Sequence, residues 1–200
     1  MKIFTFCISA LLIITLASCS DNGKNENPRE LVFNVDTALV TDPVQFDDLG
    51  ISLCIPVNWN SLDSSTLDNV IKGLEKIRED SALYHLSPSA VYLNKKTSNL
   101  LSVGEVAYEG KNDSLSFKEY ISEINTAYDT VNVVVGKFIV NDINVTQLLI
   151  RNDKFILFKL LFLNKQTDMI EVDFALQKTF YNEAVKSVES SIGSLKYINK

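Results

Sequence analysis

Nine consecutive residues, Phe155-Ile156-Leu157-Phe158-Lys159-Leu160-Leu161-Phe162-Leu163, constrain this chain more than any other stretch of it. Successive side chains of a strand point to opposite faces, so this run presents apolar groups on both, with Lys159 as the one exception. Both faces can leave water together only in the middle of a sheet that is covered from both sides. The next apolar stretch behaves differently. Ile170, Val172, Phe174 and Leu176 alternate with Glu171 and Asp173, which predicts a half-buried strand with its two carboxylates turned outward.

The remaining pattern supplies the covering layers. Gly50 to Ile55 reads as a strand that Pro56 ends. Trp59 follows in the loop, and is read as a core plug in preference to a sugar-stacking platform. Ser64 or Ser65 caps a helix with Leu67, Val70, Ile71, Leu74 and Ile77 along one face. His85 is expected at the end of that helix, where a cation suits the macrodipole. Ala90 to Leu93 and Leu100 to Tyr108 are strands. A second helix opens on a capping box of Ser116 and Glu119 with a Leu115–Tyr120 staple, and buries Phe117, Tyr120, Ile121 and Ile124. Val131 to Val140 and Ile143 to Ile150 form a hairpin around Asn141-Asp142. A last helix near Tyr181 to Leu195 lines up Ala184, Val185, Val188, Ile192 and Leu195. Short turns between strands imply antiparallel pairing, so the expected fold is α+β: a three-layer sandwich with a central antiparallel sheet and helices on both faces. No internal repeat is visible, and with 7 glycines and 4 prolines no second linker stands out, so residues 31–200 are expected to form a single domain.

The N-terminus carries an address. Lys2 precedes an apolar stretch from Ile3 to Ala17, which falls short of the roughly 20 residues that cross a bilayer. It runs into a polar string from Ser20 to Asn27, the layout of a cleaved secretory signal. Leu16-Ala17-Ser18-Cys19 resembles the lipobox of bacterial lipoproteins. That resemblance implies cleavage after Ser18 and a diacylglyceryl thioether on Cys19, often joined by a third acyl chain. Each buried methylene contributes about 0.8 kcal/mol, so two or three chains anchor stably. The expected plan is a signal peptide at 1–18, a lipidated flexible tether at 19–30 and the domain thereafter. The expected location is the cell envelope, with membrane contact through the lipid on Cys19.

Several chemistries are set aside. The formal net charge is −6 and the basic residues are scattered, so the concentrated basic face that nucleic acid requires is missing. Cys7 leaves with the signal and Cys19 is lipidated; Cys54 remains alone, with no partner for an intramolecular disulfide, and reads as a small buried core residue. His85 is the only histidine, and Gly193-Ser194 lacks the glycine of a nucleophile elbow, so no catalytic residues are assigned. One histidine and one thiol make no zinc site. Asp142 and Asn144 lack the rest of a calcium loop and read as a plain turn. No phosphate-cradling glycine loop occurs, so no metal or cofactor is expected. The acid pairs Asp47-Asp48 and Glu79-Asp80 read as solvated. Asp36-Thr37-Ala38, Asp80-Ser81-Ala82, Asp113-Ser114-Leu115 and Asp129-Thr130-Val131 resemble the acceptor triplet for O-glycans in some Gram-negative envelopes.

Three segments carry a wider resemblance: Gly50-Ile51-Ser52-Leu53-Cys54-Ile55-Pro56-Val57-Asn58-Trp59, Ser116-Phe117-Lys118-Glu119-Tyr120 and Ser191-Ile192-Gly193-Ser194-Leu195-Lys196. From Val44 to Ile198 the chain resembles the PsbP-like superfamily, which includes the DcrB-type bacterial lipoproteins. The resemblance implies a central antiparallel sheet flanked by helices. Its members serve as photosystem assembly factors, nuclear-import accessory proteins and envelope lipoproteins, binding a protein partner without catalysis. No partner-binding motif carries over residue by residue. The expected function is a membrane-anchored, non-catalytic binding or accessory module for a protein partner. An envelope hydrolase using acidic residues and an immunity-type inhibitor of a toxin are the alternatives.

Overall fold

A computed structural model describes residues 28–77, 83–108, 116–128 and 132–198. The signal segment, Cys19, Glu79-Asp80, Leu115 and three of the four acceptor triplets lie outside the described residues. In chain order the strands are β1 (Arg29–Glu30), β2 (Val40–Phe46), β3 (Ile51–Pro56), β4 (Asn60–Ser61), β5 (Tyr84–Asn94), β6 (Asn99–Tyr108), β7 (Asn132–Val140), β8 (Ile143–Arg151), β9 (Phe155–Leu163), β10 (Met169–Gln177) and β11 (Lys196–Tyr197). The helices are α1 (Ser64–Ile77), α2 (Phe117–Ala127) and α3 (Tyr181–Ser194).

An eight-stranded sheet runs β1-β7-β8-β9-β10-β6-β5-β4, and a separate three-stranded sheet runs β11-β3-β2. The doubly apolar run is therefore flanked by strands on both edges. Its two faces feed two cores. Phe158, Leu160 and Phe162 join Val172 and Phe174 with Ile51, Leu53 and Ile55 of β3 and Val188 and Ile192 of α3. Leu157 and Leu161 join Leu148, Ile150, Val106 and Met169 with Tyr120 and Ile124 of α2. Full burial of one side chain such as Phe162 contributes about 1.5–3 kcal/mol. Trp59 is buried edge-on against Phe174, with ring centroids 6.3 Å apart.

Two features correct the expected sheet. The large sheet is not wholly antiparallel, because β1 pairs with β7 in parallel, Arg29 opposite Phe138 and Glu30 opposite Ile139. That pairing begins inside the segment read as a tether. The smaller sheet was not foreseen: β2 contains Pro43 and shifts register between Val40 and Pro43, so it shows no clean period-two pattern. Before β11 begins at Lys196, the end of α3 lies along the same edge of β3. Ser194 Oγ accepts from Cys54 N at 2.8 Å, and Ser191 Oγ donates to Cys54 O at 2.5 Å.

Local signals were shifted in two places. Asp63, one residue before the expected serines, caps α1: its carboxylate accepts from Thr66 N at 3.0 Å and from the Ser65 and Thr66 hydroxyls. His85 lies in β5 opposite Ala107, not at a helix end. Asn141 and Asp142 do form the hairpin turn, with φ of 45° and 66°, as a tight hairpin turn with positive φ at both central residues requires. Asn141 Nδ2 also donates to Gly193 O and Leu195 O, both at 2.9 Å, tying the hairpin to the end of α3.

Candidate functional site

Cross-strand register brings the unusual charges together. Lys159 at the middle of β9 lies opposite Asp173 of β10, and Glu171 lies opposite Leu161. All share the face covered by α2. Lys159 Nζ donates to Asp173 Oδ2 at 2.8 Å and to Glu171 Oε1. Tyr120 OH, descending from α2, donates to Glu171 Oε2 at 2.5 Å. Side-chain exposure is 8% for Lys159, 0% for Glu171 and 13% for Asp173.

This corrects the outward reading of Glu171 and Asp173. The period of β10 is as expected, but its second face meets α2 instead of water. A signal was present in Lys159: a cation inside a doubly apolar run needs a counter-charge within reach, because a buried charge without a partner is strongly unfavourable. The alternating acids of the following strand are the nearest suppliers.

Burial governs the proton balance. It pushes the Asp173 carboxyl up to about 8, the Glu171 charge adds to the rise, and Lys159 opposes it. Burial also disfavours the Lys159 ammonium, but Asp173 and Glu171 outweigh that effect and hold it well above its ordinary value. Tyr120 is raised by burial first and by the Glu171 charge second. Asp173 Oδ1 is buried without a hydrogen-bond partner, so it can take a proton without disturbing the Lys159 contact.

A rim of phenols and carboxylates surrounds the cluster. Tyr84 OH donates to Glu119 Oε2 at 2.7 Å, and Leu83 N and Tyr84 N both donate to the Glu123 carboxylate at 3.3 Å. The Tyr84 ring lies against Tyr108 and Tyr120. Burial, with the Glu119 bond, pushes Tyr84 up to about 12. Only half of the expected capping box forms. Ser116 Oγ accepts from Glu119 N at 3.4 Å, while the Glu119 carboxylate turns to Tyr84 instead of back to Ser116 N. The intended N-cap of α2 thus becomes part of its attachment to the sheet.

The other sequence candidates are dispersed. Cys54 is a buried free thiol. Asp47 and Asp48 are exposed in a one-turn helix, Asp142 belongs to the hairpin turn and Asn144 is exposed on β8. Thr37 of the described acceptor triplet is exposed. Among the described residues no group of histidine, cysteine, aspartate and glutamate could hold a metal, and no helix is long and apolar enough to cross a membrane.

No family model matches the chain, and no curated protein matches its sequence. Similar solved structures do exist. Cyanobacterial PsbP (CyanoP) from Synechocystis sp. PCC 6803 superposes with a TM-score of 0.52 at 10% identity, over 82% of this chain and 95% of that one. A protein of unknown function from Pseudomonas aeruginosa, PA94, gives a TM-score of 0.39 at 7% identity over 80% of this chain and 99% of its own. A point mutant of Mog1 gives 0.40 at 11% identity over 80% and 96%. At such identities only the first bears on this chain, and it bears on architecture alone: the protein has a mixed α+β, PsbP-like fold with a large sheet and few helices.

Proposed function

We propose that this protein is an envelope lipoprotein, anchored through acyl chains on Cys19, whose domain is a non-catalytic accessory module for a protein partner. In this reading the domain is a three-layer body, with α2 on one face of the large sheet and α3 on the other. The observation that carries the non-catalytic reading is the closure of the Lys159–Glu171–Asp173 cluster. The densest group of ionisable side chains among the described residues is spent on itself and covered by α2, so it serves as structure. The lipobox and the resemblance to non-catalytic PsbP-like proteins support the rest.

The test is photo-crosslinking in cells, from exposed positions of the full-length chain. The expected result is one protein captured reproducibly from the wild type and lost from Cys19→Ala, which should remain an unprocessed precursor. Absence of any captured protein, together with turnover of a small substrate by the purified protein, would overturn the proposal. One observation favours a second reading as an acid/base enzyme: Asp173 and Glu171 sit side by side, and one of them holds its proton near neutral pH, as paired catalytic carboxylates do. That reading requires α2 to lift, and it predicts turnover that Asp173→Asn abolishes.

A further inference from the structure

An amine and a carboxylic acid condense to an amide when they are held together, shielded from water and served by a neighbour that carries the protons. The middle of the large sheet holds such a set. Lys159 and Asp173 stand opposite each other on β9 and β10, and Lys159 Nζ donates to Asp173 Oδ2 at 2.8 Å, one bond away from the carboxyl carbon Cγ. The two acids are not equivalent. Glu171 has a donor on each oxygen, Lys159 Nζ on Oε1 and Tyr120 OH on Oε2, which aims Oε1 at the ammonium. Asp173 Oδ1 has no partner, and burial, with the Glu171 charge second, pushes this carboxyl up to about 8, so it holds a proton at neutral pH. A nucleophile, a proton acceptor and an uncharged carboxyl therefore meet beneath α2.

We propose that Lys159 and Asp173 join in an intramolecular amide, an isopeptide bond between β9 and β10, with Glu171 as the proton carrier. The Lys159 ammonium passes one proton to Glu171 Oε1. The free amine attacks Cγ of the protonated Asp173, and the carbonyl electron pair moves to Oδ2. Glu171 gives its proton to the Oδ1 hydroxyl and takes another from the nitrogen. The Cγ–Oδ1 bond breaks, water leaves with that electron pair and the carbonyl re-forms at Oδ2. The products are an amide, one water and a protonated Glu171, so the net charge is zero before and after. Burial opposes the Lys159 ammonium, and the charges of Asp173 and Glu171 hold it in place. Condensation removes these buried charges together, which the dry site favours. Asp173 is the most exposed of the three side chains, so the water departs on its side. The bond forms once per chain and turns over no substrate, and it stands apart from the accessory-module reading. Until it forms, Asp173 remains a titrating acid.

The test is peptide mass spectrometry of the full-length protein, purified in detergent, incubated and digested with trypsin. Trypsin does not cut after an acylated lysine, so the expected species joins residues 155–165 to residues 166–178 with the loss of one water. Its fragments should start from two amino termini, Phe155 and Gln166, and place the branch at Asp173. Lys159→Met should lack this species. Glu171→Gln keeps the amine and the acid but removes the proton acceptor, and should form the link at least about a hundredfold more slowly. A wild-type circular dichroism spectrum and a protected Cys54 thiol identify folded protein in each case. Only separate, unbranched peptides from folded wild type after prolonged incubation would overturn the proposal. So would a branch at Glu171, or a folded Glu171→Gln that links as fast as wild type.

Discussion

Asp173 titrates at an ordinary value of 3.8 when the chain is unfolded and at about 8 beneath α2, so between those limits the folded protein holds a proton that the unfolded chain releases. Folded stability from this group is complete below 3.8 and is lost as pH rises to about 8, because the unfolded state binds fewer protons over that window. Each pKa unit is worth about 1.4 kcal/mol, so the loss is on the order of a few kcal/mol. Asp173→Asn keeps the shape and an acceptor for Lys159 but cannot ionise. Its denaturation midpoint should decline less than that of wild type between pH 5 and pH 8, and should exceed wild type at pH 9. Parallel curves for the two proteins would show that the proton resides elsewhere in the cluster. Sequence reasoning saw each residue of this site and misjudged its surroundings, since period-two alternation says which side chains share a face and not what covers that face.

At the scale of elements, the attachments between distant segments decide the packing. α3 carries Gly193 where a helix would gain about 1 kcal/mol from alanine. A Cβ there would lie 2.4 Å from Cβ of Phe33, in the segment that follows β1. Phe33 packs on Phe138 at 5.8 Å between ring centroids, and Asp36 N donates to Ser190 Oγ at 3.2 Å, so this segment is clasped between α3 and β7. Gly193→Ala should therefore destabilise the protein by about 1–3 kcal/mol despite its better helix propensity. Adding Phe33→Gly, which removes the clashing Cβ, should return part of that loss, as denaturant titration of the single and double variants can check. The helices themselves were legible from their apolar stripes, with Tyr120 and Ile124 buried on α2 as expected. What was not legible was where polar ends would find partners: Glu119 satisfies Tyr84 from a strand far away in sequence, and no local rule prefers that bond to the capping box.

For the molecule as a whole, Cys54 reports the integrity of the core. It is buried at 7% exposure, with its main chain held by Ser191 and Ser194 of α3. Its thiol should resist a maleimide in the native protein and react at a rate set by global unfolding, as labelling across a denaturant series will reveal. Rapid native labelling would mean that α3 separates from β3 without general unfolding. The sequence by itself determined the central position of Phe155 to Leu163, the strand and helix types around it, the Asn141-Asp142 hairpin and the burial of Cys54, because each follows from periodicity or turn chemistry within a short window. Only the tertiary structure decided that β2, β3 and β11 form a sheet of their own, that His85 belongs to a strand, and that Glu171 and Asp173 are sealed beneath α2 around Lys159. Those outcomes depend on contacts between residues 12 to more than 100 positions apart, where the energy of a pairing resides in both partners and neither segment alone encodes it.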